Sequence, residues 1–373
     1  MRGNPTHVRI CYINPAGAAL FEHGFVERQH YGGAEVALVA QAKAMARGGG
    51  VDVHMAIDGD HDGSERIDGV TVHRMRGTYR DQPPAAFAAY RRDYWRTLSE
   101  VDADVYVQRG VPADLYFLAA VHCRAHRKAY VQVLALAPLR QLDTFTLKGY
   151  LRWILMEQAS LRLATAVVAL AHDQLGGLAP AVRAKTRVIY EGKPPARLAR
   201  ERRFVLWVGR AVETKRPEVF IALARSLPDE RFVMAVAGAF DGSVPANLTV
   251  RRNVPHEDMD DLYASAKLVV HTSRVEGFSN VFIEAWNNAT PVVSLEVDTD
   301  GLLAREGLGR CARSFDELRE DVVLLLGDPA AWETCSRNAL AHARTHHDLD
   351  RQIVRWRSLF ESLSRPLRRV ERT

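Results

Sequence analysis

Short, uninterrupted apolar runs alternate along this chain with stretches of helical spacing, and the alternation happens twice. Residues 7–14, 51–57, 70–74, 104–108, 129–134, 166–170 and 187–190 read as strands, with helix-length patterns over 32–47, 86–100 and 113–126 between them. The strand runs are apolar on both faces, as expected where helices cover both sides of a parallel sheet. From residue 204 the pattern restarts, with strands at 204–208, 232–237, 248–251, 267–272 and 291–297 and closing helices at 315–326 and 330–344. The expectation is an α/β protein built from two doubly wound, mostly parallel sheets.

Between the halves, residues 191–203 read EGKPPARLARERR, rich in proline and charge, and are expected to be a linker. That gives a first domain over 1–190, a second over 204–349 and a final segment over 350–373. A length of 373 residues is comfortable for two such domains. Hydrophobic residues at 47% against 25% charged exclude a disordered chain. No apolar run is long enough to span a bilayer, and the opening MRGNPTHVRICYIN lacks the apolar core of a signal peptide, so a soluble, cytoplasmic protein is expected. The net charge of +5 and pI near 9.1 invite polyanions. The basic residues are scattered, however, with no interleaved aromatic platform, so no nucleic-acid partner is expected, and weak contact with an anionic membrane surface is the more compatible reading. Cys11, Cys123, Cys311 and Cys335 stand far apart without a CxxC and read as reduced thiols.

The chemistry concentrates between Glu276 and Glu284, where the chain reads EGFSNVFIE between two strand-like runs. Gly277, Phe278, Ser279 and Asn280 fit a loop that turns straight into a helix. Glu276 then lies at a strand's carboxyl end, and Glu284 lies near the second turn of the helix. The first N–H groups of that helix favour an anion. Upstream, FVLWVGRAVETKRPEVFIALA gives a buried strand, a turn bearing Arg210 and Lys215, and a helix from about residue 216. The two cations stand where open α/β sheets bind ligands, and together balance a diphosphate.

These residues resemble the retaining, metal-independent nucleotide-sugar glycosyltransferases of the GT-B fold, glycosyltransferase family 4. The resemblance rests on Gly209, Arg210 and Lys215, on Glu276, Gly277 and Phe278, and on Glu284; it runs from about 204 to 312 and thins in the first half to Gly32-Gly33-Ala34-Glu35. It implies two facing Rossmann-like domains with a cleft between them, the first for the acceptor and the second for the donor, with the last helix packing back on the first domain. It further implies transfer of a sugar from a UDP- or GDP-sugar to an acceptor hydroxyl, in surface-polysaccharide or glycoconjugate assembly, with a lipid-linked acceptor among the options. No cofactor and no metal are implied. Arg210, Lys215 and the N–H groups of Phe278 to Asn280 would carry the leaving diphosphate, Glu276 the donor sugar, Glu284 the ribose, and Gly33 would admit the donor close to the backbone; the base would stack near 252–256. Two departures stand out. The first-domain histidine that many members carry has no counterpart in 133–137, and Glu191-Gly192 replaces the usual Asn-Gly. An epimerase or phosphorylase of the same architecture, or a silent nucleotide-sugar-binding subunit, are the alternative functions.

Other constellations read as structure. Residues 58–63 mimic a calcium loop but lack its terminal Glu and should form a surface turn. His342 and His346 lack the intervening acid of a zinc protease. Asp102-Ala103-Asp104 precedes its strand rather than following it. The helical pattern over 147–163 carries an apolar stripe, expected to face the core, with an interfacial helix as the alternative.

Overall fold

The computed structural model describes residues 8–21, 32–60, 62–78, 84–135, 147–196 and 201–370. The chain forms two compact units, residues 1–192 with 349–373 and residues 193–348.

In unit 1 the strands are β1 (Val8–Ile13), β2 (Val51–Gly59), β3 (Gly63–Ile67), β4 (Val70–Arg76), β5 (Val105–Gln108), β6 (Ala129–Val133), β7 (Ala166–Ala169) and β8 (Thr186–Val188). Helices α1 (Gly33–Arg47), α2 (Pro84–Val101), α3 (Ala113–Ala125), α4 (Leu147–Leu163) and α5 (Pro180–Arg183) connect them. The sheet order is β3-β4-β2-β1-β5-β6-β7-β8, and only β3 runs antiparallel to its neighbour. The order reverses between β1 and β5, and their carboxyl ends form the switch point at which such sheets bind ligands. Five tyrosines thread the core, and each places its hydroxyl on a polar partner, as a buried phenol requires. Tyr90 donates to Asp58 at 2.8 Å, Tyr130 donates to the Gln108 carbonyl at 2.9 Å, and the Gln108 amide donates to Tyr94 at 3.0 Å. Tyr106 donates to the Leu98 carbonyl, and Tyr116 accepts from the Gly110 N–H at 2.6 Å. The helix Leu349–Val370 belongs to this unit: it packs on α1, β1 and β5, burying Ile353, Trp356 and Phe360, with the Phe360 ring edge-on to Tyr12.

The structure bears on several sequence expectations here. Asp58 is fully buried next to the end of β2, which runs to Gly59, so the surface turn expected over 58–63 begins later; His61 lies outside the described residues. Asp102 takes a left-handed φ of 47° between α2 and β5 and pairs with Lys128 at 2.7 Å, while Asp104 accepts the Arg9 N–H at 2.9 Å, which makes the pair a strand entry. On α4 the apolar stripe is divided: Leu161 is buried, whereas Leu151 and Leu155 are 51% and 68% exposed. Residues 136 and 137, where the histidine was sought, lie outside the described residues.

Burial pushes the Glu157 carboxyl on α4 up to about 7, so the folded state holds a proton there that the unfolded chain releases at its ordinary 4.5. Relative to a neutral side chain, the stability it contributes is intact below about pH 4.5 and lost as pH rises towards 7. We expect the stability difference between wild type and Glu157→Gln to fall by on the order of 1–3 kcal/mol across that window in denaturant titrations. A pH-independent difference would contradict it.

Unit 2 contains β9 (Phe204–Arg210), β10 (Phe232–Ala237), β11 (Leu248–Arg252), β12 (Ala266–His271), β13 (Val292–Leu295) and β14 (Gly309–Ala312). The helices are α6 (Pro217–Ser226), α7 (His256–Ser265), α8 (Asn280–Asn287), α9 (Leu302–Arg305), α10 (Phe315–Gly327) and α11 (Pro329–His346). All its strand pairs are parallel, in the order β11-β10-β9-β12-β13-β14, so its switch point lies between β9 and β12. One face is closed by Phe220, Leu223 and Ala224 of α6 and Leu318, Val322 and Leu325 of α10 over Val205, Trp207, Met234, Leu268 and Val293. The charges at 191–203 are not solvated along their length. Glu191 and Lys193 are 6% and 7% exposed, and the Arg202 guanidinium donates to carbonyls of Tyr263, Ala266, Asn288 and Ala289.

Candidate functional site

Two connections leave the carboxyl edge of unit 2 at its switch point, one after β9 and one after β12. The β9 strand ends in Gly209 and Arg210. A Cβ on Gly209 would come within 2.9 Å of the Trp207 ring two residues earlier, so the position admits little but glycine while that ring is buried beside it. Trp207 Nε1 donates to Thr272 Oγ1 at 2.9 Å, and Thr272 donates in turn to the Lys215 carbonyl at 2.6 Å. The turn after β9 is thereby tied to the end of β12. Arg216 strengthens the tie: it adopts a left-handed φ of 48°, and its buried guanidinium donates to the carbonyls of Thr272 and Leu295 and pairs with Glu296 at 3.1 Å. This cation is structural, whereas its neighbour Lys215 meets Glu276.

Lys215 Nζ forms an ion pair with Glu276 Oε1. The same carboxylate oxygen lies 3.3 Å from His271 Nε2, which is also 3.3 Å from Ser279 Oγ, while His271 Nδ1 faces Ser294 Oγ at 3.2 Å. Burial lowers the His271 pKa and keeps the ring neutral, with its Nε2 proton directed at the carboxylate and Nδ1 accepting from Ser294. Burial alone would raise the Glu276 pKa, yet the His271 hydrogen bond and the Lys215 charge outweigh it and hold the carboxyl at about 2. Glu276 is therefore a fixed anion, not a proton carrier.

Ser279 is the N-cap residue of α8; its hydroxyl lies 3.3 Å from His271 Nε2 and makes no cap bond. Phe278 is buried, packing edge-on to Trp286 and against His347 at 5.0 Å, which fixes the loop at the helix entrance; Gly277 beside it is buried as well. The Asn280 carbonyl oxygen is buried with no hydrogen-bond partner. Arg210 is exposed and makes no side-chain hydrogen bond or ion pair among the described residues. Glu284 lies in the second turn of α8, where Lys193 Nζ meets Oε1 at 2.7 Å and the Tyr263 hydroxyl donates to Oε2 at 2.8 Å.

Of the residues singled out in sequence, Gly209, Arg210, Lys215, Glu276, Gly277, Phe278, Ser279, Asn280 and Glu284 thus share the two connections at this switch point. Gly33 stands in unit 1, where it is exposed at the first turn of α1; Gly32 caps that turn by donating its N–H to Glu35 Oε2 at 2.9 Å. Lys215, expected to balance a diphosphate with Arg210, is paired with Glu276; an ammonium has three N–H donors, so it can serve Glu276 and an incoming oxygen together. In the 252–256 stretch, the exposed Arg252 guanidinium donates to the Phe240 carbonyl. Sequence reasoning missed His271, Ser294, Lys193 and Tyr263. For His271 a signal existed, a histidine closing an apolar strand five residues before Glu276; for Lys193, 91 residues from Glu284, there was none. Among the described residues no group of His, Cys, Asp and Glu is arranged to hold a metal, all four cysteines are free, and no helix is long and apolar enough to cross a membrane.

The chain as a whole is similar to known proteins. Residues 191–308 match the model of glycosyl transferases group 1, and residues 32–190 match the glycosyl transferase 4-like domain. D-inositol 3-phosphate glycosyltransferase 1 of Catenulispora acidiphila is 29% identical over 185 residues, 42% of this chain and 44% of that protein. The D-inositol 3-phosphate glycosyltransferase of Mycobacterium bovis is 29% identical over 166 residues, 39% of this chain and 34% of that protein. The matches thus span less than half the length of these curated relatives. Among solved structures, the sucrose-phosphate synthase of Thermosynechococcus elongatus superposes with a TM-score of 0.77 at 17% identity, over 96% of this chain and 99% of that one. HepE of Anabaena, solved in complex with UDP-glucose, gives 0.70 at 19% identity, over 94% of this chain and all of that one. At such identities the structural likeness speaks for the fold alone, and it is the GT-B fold. With the two models running in succession from residue 32 to residue 308, the chain belongs to the group 1, family 4-like glycosyl transferases.

Proposed function

We propose that the protein transfers a sugar, with retention of anomeric configuration and without a metal, from a UDP- or GDP-sugar to an acceptor hydroxyl in polysaccharide or glycoconjugate assembly in the cytoplasm. The observation that carries this reading is the Lys215–Glu276 pair held at the α8 entrance, with Arg210 on the same connection after β9 as Lys215. Lys215, Arg210 and the first N–H groups of α8 stabilise the diphosphate as the glycosidic bond breaks, which is preorganised electrostatics. Glu276, ionised and fixed, accepts hydrogen bonds from the donor sugar's hydroxyls. Glu284 accepts from the ribose. A UDP-glucose complex of a protein with this fold supports a nucleotide-sugar donor. The exposed Leu151 and Leu155 are compatible with a lipid-linked acceptor and weak contact at an anionic membrane surface.

The test is a panel of UDP- and GDP-sugars with candidate alcohols, read by nucleoside diphosphate release and by NMR of the product anomer. We expect release to depend on the acceptor, the anomer to be retained and EDTA to leave the rate unchanged. Loss of activity in EDTA with rescue by manganese would remove the metal-independent reading. Conversion of the donor sugar without acceptor would make the enzyme an epimerase.

A further inference from the structure

Glu284 is an acid whose two oxygens are each committed to a different donor. Lys193 supplies one at 2.7 Å and Tyr263 the other at 2.8 Å, from residues 91 and 21 positions away. Both donors are themselves fixed. Lys193 is 7% exposed; its backbone N–H donates to the His347 carbonyl at 2.8 Å, and it bridges Asp348, at the place where the chain enters unit 2 and later leaves it. Tyr263 is fully buried in α7, and its carbonyl accepts from Arg202 and from Thr290. The backbone that carries each donor is thus held in place. A carboxylate has about four acceptor positions, two on each oxygen. One donor per oxygen leaves one position on each, and Glu284 remains 19% exposed at its side chain.

Two neighbouring acceptors of fixed direction match a vicinal diol, whose two hydroxyls donate in parallel. From this arrangement we infer that Lys193 and Tyr263 are positioning residues that hold Glu284 as a reader of the 2′,3′-diol of a ribonucleotide, so that the site selects ribonucleoside over 2′-deoxyribonucleoside diphosphates. The inference rests on the donor reading given above. A carboxylate free to rotate would bind one hydroxyl as well as two, and discrimination would fade.

The experiment is calorimetric titration of the full chain with UDP, GDP and their 2′-deoxy counterparts. Wild type is expected to prefer the better ribonucleotide over its 2′-deoxy form by about tenfold or more, the range for leaving a charged acceptor unpaired. Lys193→Met and Tyr263→Phe should each weaken the ribonucleotide several-fold, leave the 2′-deoxy form within about twofold, and so collapse the preference; Lys193→Arg should restore most of it. In turnover the loss should appear in KM for the donor and not in kcat. A merely structural lysine would weaken both nucleotides together, and that result overturns the inference. Tighter binding of the ribonucleotide by Lys193→Met also overturns it, because the lysine would then be a competitor for the carboxylate. Wild type that binds none of the four diphosphates removes the donor reading itself, and this inference with it, whereas binding without any ribose preference removes this inference alone.

Discussion

Lys215→Ala should slow transfer by about a hundredfold or more, the largest effect expected from any single substitution in this chain. Two losses combine. The leaving diphosphate forfeits a cation, and Glu276 is left nearly buried with only the neutral His271 as donor, so its carboxyl no longer stays ionised far below the ordinary range. The second loss can be separated from the first. In Lys215→Ala/Glu276→Gln no buried anion is stranded, so the double variant should fold more stably than Lys215→Ala alone. Its transfer rate should nonetheless stay low. A double-mutant cycle on both stability and rate reads the two terms independently. Arg210→Ala, which strands nothing, should weaken nucleoside diphosphate binding by about tenfold to a hundredfold without a change in melting temperature. Unchanged diphosphate affinity in both single variants would rule out their role.

The second large effect divides the two glutamates. Glu276→Ala is expected to lower turnover of the sugar donor by about ten- to a hundredfold while leaving the bare nucleoside diphosphate bound as well as before, or slightly better, because Lys215 is freed from its partner. Glu284→Ala should weaken the bare diphosphate and the full donor alike. Titration of each variant with diphosphate, beside initial rates with donor, separates the roles. The reverse pattern would exchange the assignments, and silence in both would reduce the motif to an ordinary helix start.

Much of the sheet architecture was legible because strands buried on both faces leave continuous apolar runs, as at Val105–Gln108, Phe232–Ala237 and Ala266–His271. Two strands were not. In β3 the residues GSERI are nearly all exposed, so no apolar face marks it, and it forms only by pairing antiparallel to β4. In β14 four residues, GRCA, are too few to stand out. The site was half legible in the same sense. Arg210, Lys215, Glu276 and Glu284 lie within local patterns of strand, turn and helix that fix their positions on the chain. What each side chain touches depends on the order of strands in the sheet, which no local pattern carries. Lys193 illustrates the limit: proline and charge around it signalled a solvated linker, and the fold instead buries it against Glu284.

The helix Leu349–Val370 gives the molecule an unusual timetable during synthesis. Residues 1–192 of unit 1 are made before unit 2, yet their surface over Tyr12, β1 and β5 is closed by Ile353, Trp356 and Phe360, which are made after it. Residues 193–348 come between and can complete unit 2 from an unbroken stretch of chain. At roughly 5–20 residues per second, the apolar patch around Tyr12 waits on the order of ten to thirty seconds for its cover after residue 192 is made. During that interval the nascent chain presents a sheet core to chaperones, and a chain that ends at residue 348 holds all of unit 2 but leaves unit 1 uncovered.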